Sequence, residues 1–124
     1  MKARDLMTQE VYTVRPDDGF NQVELIADMK HIRHVPVVDD NERVIGMVSV
    51  RDLLVHLSNA AASQFVPIRE VMQSNVVTCG PDLPVEEVAA LMLKESIGAV
   101  PIVEEEKIIG IISERDFVKH FSKG

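Results

Sequence analysis

Two short clusters in this chain combine residue types able to hold a ligand: Gly46-Met47-Val48-Ser49-Val50-Arg51-Asp52 and Gly110-Ile111-Ile112-Ser113-Glu114-Arg115-Asp116. Each opens on a glycine, which lets another backbone or a ligand come close. Ser and Asp then fall where an apolar, β-branched run gives way to a helical pattern. The free amides and the dipole of a helix N-terminus favour phosphate oxygens, and a carboxylate beside them accepts the paired hydroxyls of a ribose. The same spacing also suits a purely local role, in which Ser49 and Ser113 cap their helices and Asp52 and Asp116 are favoured by the positive first turn.

Other reactive side chains form no comparable set. His31 and His34 have helical spacing, but no Cys or carboxylate completes a zinc site around them. His56 and His120 fall near helix C-termini, where exposed carbonyls favour an imidazolium, and neither has a nucleophile to activate. Glu104-Glu105-Glu106 reads as a solvated hairpin loop. Met29, Met47, Met72 and Met92 fall on apolar stripes or strands and read as packing residues, some of them within reach of a ligand. No nucleophile elbow, phosphate-binding glycine loop, metalloprotease helix or basic aromatic stripe is present. The expectation is therefore no enzyme, no catalytic residue, no metal and no required cofactor.

The elements that must position the two clusters follow from a repeat. A shift of about 65 residues lays Met7 on Met72, Val11 on Val76, Thr13 on Thr78, Pro16-Asp17 on Pro81-Asp82, Ile32 on Ile97 and Val35-Pro36 on Val100-Pro101. After a one-residue deletion in the acidic loops, Ile45-Gly46 matches Ile109-Gly110 and Arg51-Asp52 matches Arg115-Asp116. Each copy reads as strand, helix, strand, strand, helix. The first strands are Val11-Tyr12-Thr13-Val14 and Val76-Val77-Thr78-Cys79, ended by proline. Asp17 and Asp82 are placed to cap helices with buried stripes Phe20, Val23, Ala27 and Val85, Val88, Ala89, Met92. A hairpin and a helix opening at Ser49 or Ser113 follow. Residues 1–58 and 67–124 are the two repeats. Residues 59–66 join them, with the Ala-rich run from Ser58 to Gln64 extending the preceding helix or linking it to Phe65.

Two such small units are expected to share one core, filled by aliphatic residues: apolar residues make up 46% of the chain, with one Tyr, four Phe and no Trp. A formal charge of −7 argues against broad attraction to nucleic acid or anionic lipid, without excluding a local basic pocket. Cys79 is the lone cysteine, which suits a reducing, cytoplasmic setting, and neither a secretion signal nor a bilayer-spanning stretch is expected.

The doubled pattern, with its Val-Pro strands, resembles a tandem pair of cystathionine beta-synthase (CBS) domains. The resemblance implies an α+β fold of two β-α-β-β-α repeats packed with pseudo-twofold symmetry. It also implies two clefts across the repeats for adenosine compounds such as AMP, ADP, ATP or S-adenosylmethionine. By motif position, one cleft would combine Ile111, Ser113, Arg115 and Asp116 with Met7, Val11, Ile32, Arg33 and His34, Asp116 holding ribose. The other would combine Met47, Ser49, Arg51 and Asp52 with Met72, Val76, Ile97, Gly98 and Ala99. Only the first has Arg33 and His34 as phosphate donors, which predicts unequal sites; alternatively these two lie on a solvated turn or a dimer face. The implied role is allosteric regulation through a homodimer or an effector protein in trans. A ligand-free interaction scaffold is the rival reading.

Overall fold

The computed structural model describes residues 1–58 and 66–122. In chain order the elements are helix α1 (Ala3–Leu6), α2 (Phe20–Lys30), strands β1 (His34–Val38) and β2 (Val44–Ser49), α3 (Val50–Leu57), a 3-10 turn (Ile68–Glu70), α4 (Val85–Glu95), β3 (Ala99–Glu104), β4 (Lys107–Ser113) and α5 (Glu114–Ser122). The fold is thus α+β, with two antiparallel hairpins, β1-β2 and β3-β4. The run from Ser58 to Gln64 lies, beyond Ser58, outside the described residues.

The expected first strands shrink to one bridge each, Val14 to Val37 and Cys79 to Ile102, both parallel. Val14 N–H donates to the Pro36 carbonyl and the Val14 carbonyl accepts from Val38 N–H; Cys79 does the same with Pro101 and Val103. Continuing either ladder towards the N-terminus would need an N–H from Pro36 or Pro101, and proline has none. The prolines leave the hairpins intact because their carbonyls, and hence their missing donors, face the bridged residue and not the partner strand.

The helices also start later than expected. Gly19 and Pro84 are the N-caps of α2 and α4, neither with a side-chain cap, so Asp17 and Asp82 do not cap. Both carboxylates instead take an arginine, Asp17 that of Arg69 and Asp82 that of Arg4. Helices α2 and α4 end on His31 and Ser96 in the left-handed conformation (φ 57° and 55°), a C-terminal turn usually left to glycine. His31 is therefore off the helix and His34 opens β1, so the two do not share a helical face. In the second hairpin Glu105 and Glu106 both take positive φ, as a two-residue turn matching the strand twist requires.

The backbone separates into two compact units that exchange their leading segments: Met1–Val11 packs with Val77–Gly124, and Tyr12–Val76 forms the other. Among the described residues the buried ones accordingly form two clusters instead of the single core expected. Val14, Phe20, Val23, Val35, Val37, Val48 and Ile68 make one. Ala3, Val88, Met92, Val100, Ile102 and Ile112 make the other. Ile68 and Ala3, equivalent in the repeat, are both fully buried, so each cluster is completed by the leading segment of the other repeat. Of the methionines read as packing residues, Met92 is buried, Met47 and Met72 are half-buried, and Met29 is 64% exposed on the outer face of α2. His56 stacks on Phe20, with centroids 4.8 Å apart, and so has a packing role.

Candidate functional site

Each Gly-x-x-Ser cluster sits where the second hairpin strand runs into a helix, and each is walled by an exchanged segment. In the unit Tyr12–Val76, Met47 exchanges both backbone hydrogen bonds with Gln73 (3.0 and 2.9 Å). In the other unit Ile111 does so with Thr8 (3.0 and 2.9 Å). The preceding methionines lie over the glycines. A Cβ added at Gly46 would meet Met72 Sδ at 2.4 Å, and one at Gly110 would meet Met7 Sδ at 2.5 Å. The close approach read from these glycines is thus made by a thioether of the chain itself.

Ser49 caps α3 reciprocally with Asp52: Asp52 N–H donates to Ser49 Oγ (3.1 Å) and Ser49 N–H donates to Asp52 Oδ2 (2.9 Å). At the head of α5, Ser113 N–H donates to Asp116 Oδ2 (2.8 Å), and Ser113 Oγ–H reaches the same oxygen at 3.3 Å. The local role is therefore a complete reciprocal cap at α3, and at α5 the two bonds from Ser113 to Asp116. It engages chiefly Oδ2, and an ionised carboxylate has about four acceptor positions over its two oxygens, so capacity remains. The other oxygen has a partner that the motif reading missed. Thr8 Oγ1–H donates to Asp116 Oδ1 at 2.9 Å, whereas Gln73 Nε2–H reaches Asp52 Oδ1 only at 3.4 Å. Thr8 and Gln73 occupy equivalent repeat positions, but their residue types differ, so matching identities passes over them. Being next to Met7 and Met72 was the available signal.

The helix-terminal amides serve the fold more than expected. Val50 N–H donates to the Arg33 carbonyl and Glu114 N–H to the Gly98 carbonyl, so the first amide of each helix is already paired.

The remaining residues divide evenly. Met7, Val11, Ile97, Gly98, Ala99, Ile111, Ser113, Arg115 and Asp116 belong to one unit, and Ile32, Arg33, His34, Met47, Ser49, Arg51, Asp52, Met72 and Val76 to the other. Within the units, His34 stands opposite Ser49 and Ala99 opposite Ser113 in the hairpin register. Arg33, Arg51 and Arg115 are exposed; Asp52 and Asp116 are half-buried. Among the described residues no group of three His, Cys, Asp or Glu is arranged to hold a metal, and no helix is long and apolar enough to cross a membrane.

Comparison with known proteins agrees with this geometry. The CBS domain family matches residues 3–59 and 68–123. A candidate acetoin utilization protein (AcuB) from Vibrio cholerae is 33% identical and superposes with a TM-score of 0.91, over 99% of this chain and 91% of that one. The CBS domain pair of protein MJ0100, solved in complex with 5′-methylthioadenosine and S-adenosyl-L-methionine, is 26% identical with a TM-score of 0.89, over 99% and 97% of the two chains. The homoserine O-acetyltransferase of Methanosalsum zhilinae is 33% identical over 116 residues, which are 93% of this chain but 23% of that enzyme. The chain spans less than a quarter of the length of that relative. From the doubled Ser-Asp junctions, the two hairpins and a family match over both repeats, this chain belongs to the CBS domain family as a tandem pair.

Proposed function

We propose that this chain is a regulatory module, not an enzyme, that binds an adenosine derivative such as AMP, ADP, ATP or S-adenosylmethionine. The observation carrying the reading is that both units present a half-buried Asp at a strand-to-helix junction, oriented by its Ser and retaining acceptor capacity for a ribose diol. The adenosine compounds bound by the MJ0100 pair support it. Asp116 and Asp52 are the proposed ribose acceptors, and exposed Arg33 with His34 the proposed phosphate donors, with the other motif-matched residues contributing apolar and backbone contacts. Ligand binding changes the association of the chain with a second copy or an effector. Leu54 and Val55 on α3, and Val118 and Phe121 on α5, are all more than 60% exposed, which supports a dimer-forming role for these helices. The lone, half-buried Cys79 is compatible with a reducing cytoplasm.

A thermal-shift panel of AMP, ADP, ATP, 5′-methylthioadenosine and S-adenosylmethionine tests the reading. At about 100-fold over Kd a ligand stabilises the native state by about 2.7 kcal/mol, a rise of several degrees in Tm. Asp116→Ala and Asp52→Ala should each reduce the shift. No shift with any member of the panel would favour the ligand-free scaffold.

A further inference from the structure

Asp52 and Asp116 are chemically identical and sit in the same local motif, yet their outer oxygens are held differently. Thr8 reaches Asp116 Oδ1 with a hydroxyl bond of 2.9 Å, within the usual range for an O–H···O bond, while Gln73 reaches Asp52 Oδ1 at 3.4 Å, beyond the usual range for an N–H···O bond. The difference has a structural origin. Thr8 is β-branched and its backbone is pinned to Ile111 through both N–H and C=O, so one short, stiff side chain delivers the hydroxyl. Gln73 is pinned in the same way to Met47, but its amide lies at the end of three rotatable bonds. Asp116 therefore has both oxygens anchored, Oδ2 by Ser113 and Oδ1 by Thr8, and its carboxylate plane is set before any ligand arrives. Among the described residues, Asp52 is anchored firmly at Oδ2 alone. A carboxylate with a fixed plane loses less freedom when a ribose diol binds.

We infer that Thr8 is a positioning residue for Asp116, making the Asp116 half-site the one prepared for ribose, and that Gln73 leaves the Asp52 half-site the weaker. This rests on the adenosine reading above and adds the residue that makes the two half-sites unequal. It is independent of Arg33, because Thr8 acts on the sugar-binding carboxylate and not on phosphate.

The test is a calorimetric titration of AMP and 2′-deoxy-AMP, and of 5′-methylthioadenosine and its 2′-deoxy counterpart, in an Asp52→Ala background that leaves only Asp116. Thr8→Val should weaken the ribose compounds by up to about tenfold, the cost of ordering one freed side chain on binding, and the 2′-deoxy compounds by less than about threefold. Thr8→Ser, which keeps the hydroxyl, should return to within about twofold of Thr8. In an Asp116→Ala background, Gln73→Val should change binding by less than about threefold. The ribose-to-deoxyribose ratio does not depend on how much of a variant is folded, so poor folding of Thr8→Val cannot imitate the result. Equal affinity in Thr8→Val and Thr8, an equal loss for ribose and deoxyribose compounds, or failure of Thr8→Ser to rescue would overturn the inference. So would wild-type binding that disappears in the Asp52→Ala background. Absence of binding by the wild-type chain would instead overturn the adenosine reading itself.

Discussion

The Arg4 guanidinium bonds Asp82 Oδ1 through Nε and Nη2 (3.1 and 2.9 Å), and Arg69 pairs with Asp17 at the equivalent place. Each ion pair ties an exchanged segment to the turn before a helix. Arg4 holds the Asp82 carboxyl below its ordinary range, first by hydrogen bonding and then by charge, and in turn its own pKa is raised. Because the folded value is depressed, any stability from this pair is present above the unfolded value of about 3.9 and is lost as pH falls through the folded one. Asp82→Asn should thus lower Tm slightly at pH 7, with the gap closing below about pH 4. It should also shrink in molar salt, since both groups are solvent-exposed. Thermal melts of the two proteins across pH and salt check this. The carboxylates at 17 and 82 were legible as important positions, but capping and ion pairing look alike in sequence, and only the offset of the true helix starts separates them.

At the level of elements, the contact between Met7 and Gly110 joins the leading segment to β4. An alanine at 110 would set its Cβ 2.5 Å from Met7 Sδ, 2.9 Å from Cγ and 3.2 Å from Cβ, so the whole methionine side chain must move. Gly110→Ala should cost about 1–3 kcal/mol, the usual range for overpacking. Adding Met7→Ala removes the clashing atoms, so the double variant should lose less than the sum of the single losses in chemical denaturation. The hairpins were legible from their β-branched runs, and the helices α3 and α5 from the Ser-x-x-Asp signal. The first strands were overread, because the pattern shows extended backbone but not whether a neighbouring proline withholds the donor that would lengthen the ladder.

Across the whole chain, sequence repeats and packing units differ. The repeats run in tandem, but the unit containing Val77–Gly124 takes Met1–Val11 as its own, including the fully buried Ala3. Removing residues 1–11 should therefore act far from the deletion in sequence. Hydrogen exchange should show lost protection at Val100, Ile102 and Ile112, with Val35, Val37 and Val48 largely retained. Loss spread evenly over both groups would show that the two clusters unfold as one. The same truncation removes Thr8 and Met7, so the Asp116 half-site should weaken more than the Asp52 half-site.

The sequence alone determined the doubled unit, the hairpin and helix order, the family and the two Ser-Asp clusters, because periodicity, proline and glycine placement and repeat register are all local properties of the chain. Tertiary structure decided which leading segment completes which core, that Asp17 and Asp82 serve arginines, and that Thr8 and Gln73 engage the outer oxygens of Asp116 and Asp52. Those outcomes depend on residues as many as 108 positions apart being brought within hydrogen-bond distance. No local pattern records which of two equivalent partners arrives at 2.9 Å and which at 3.4 Å.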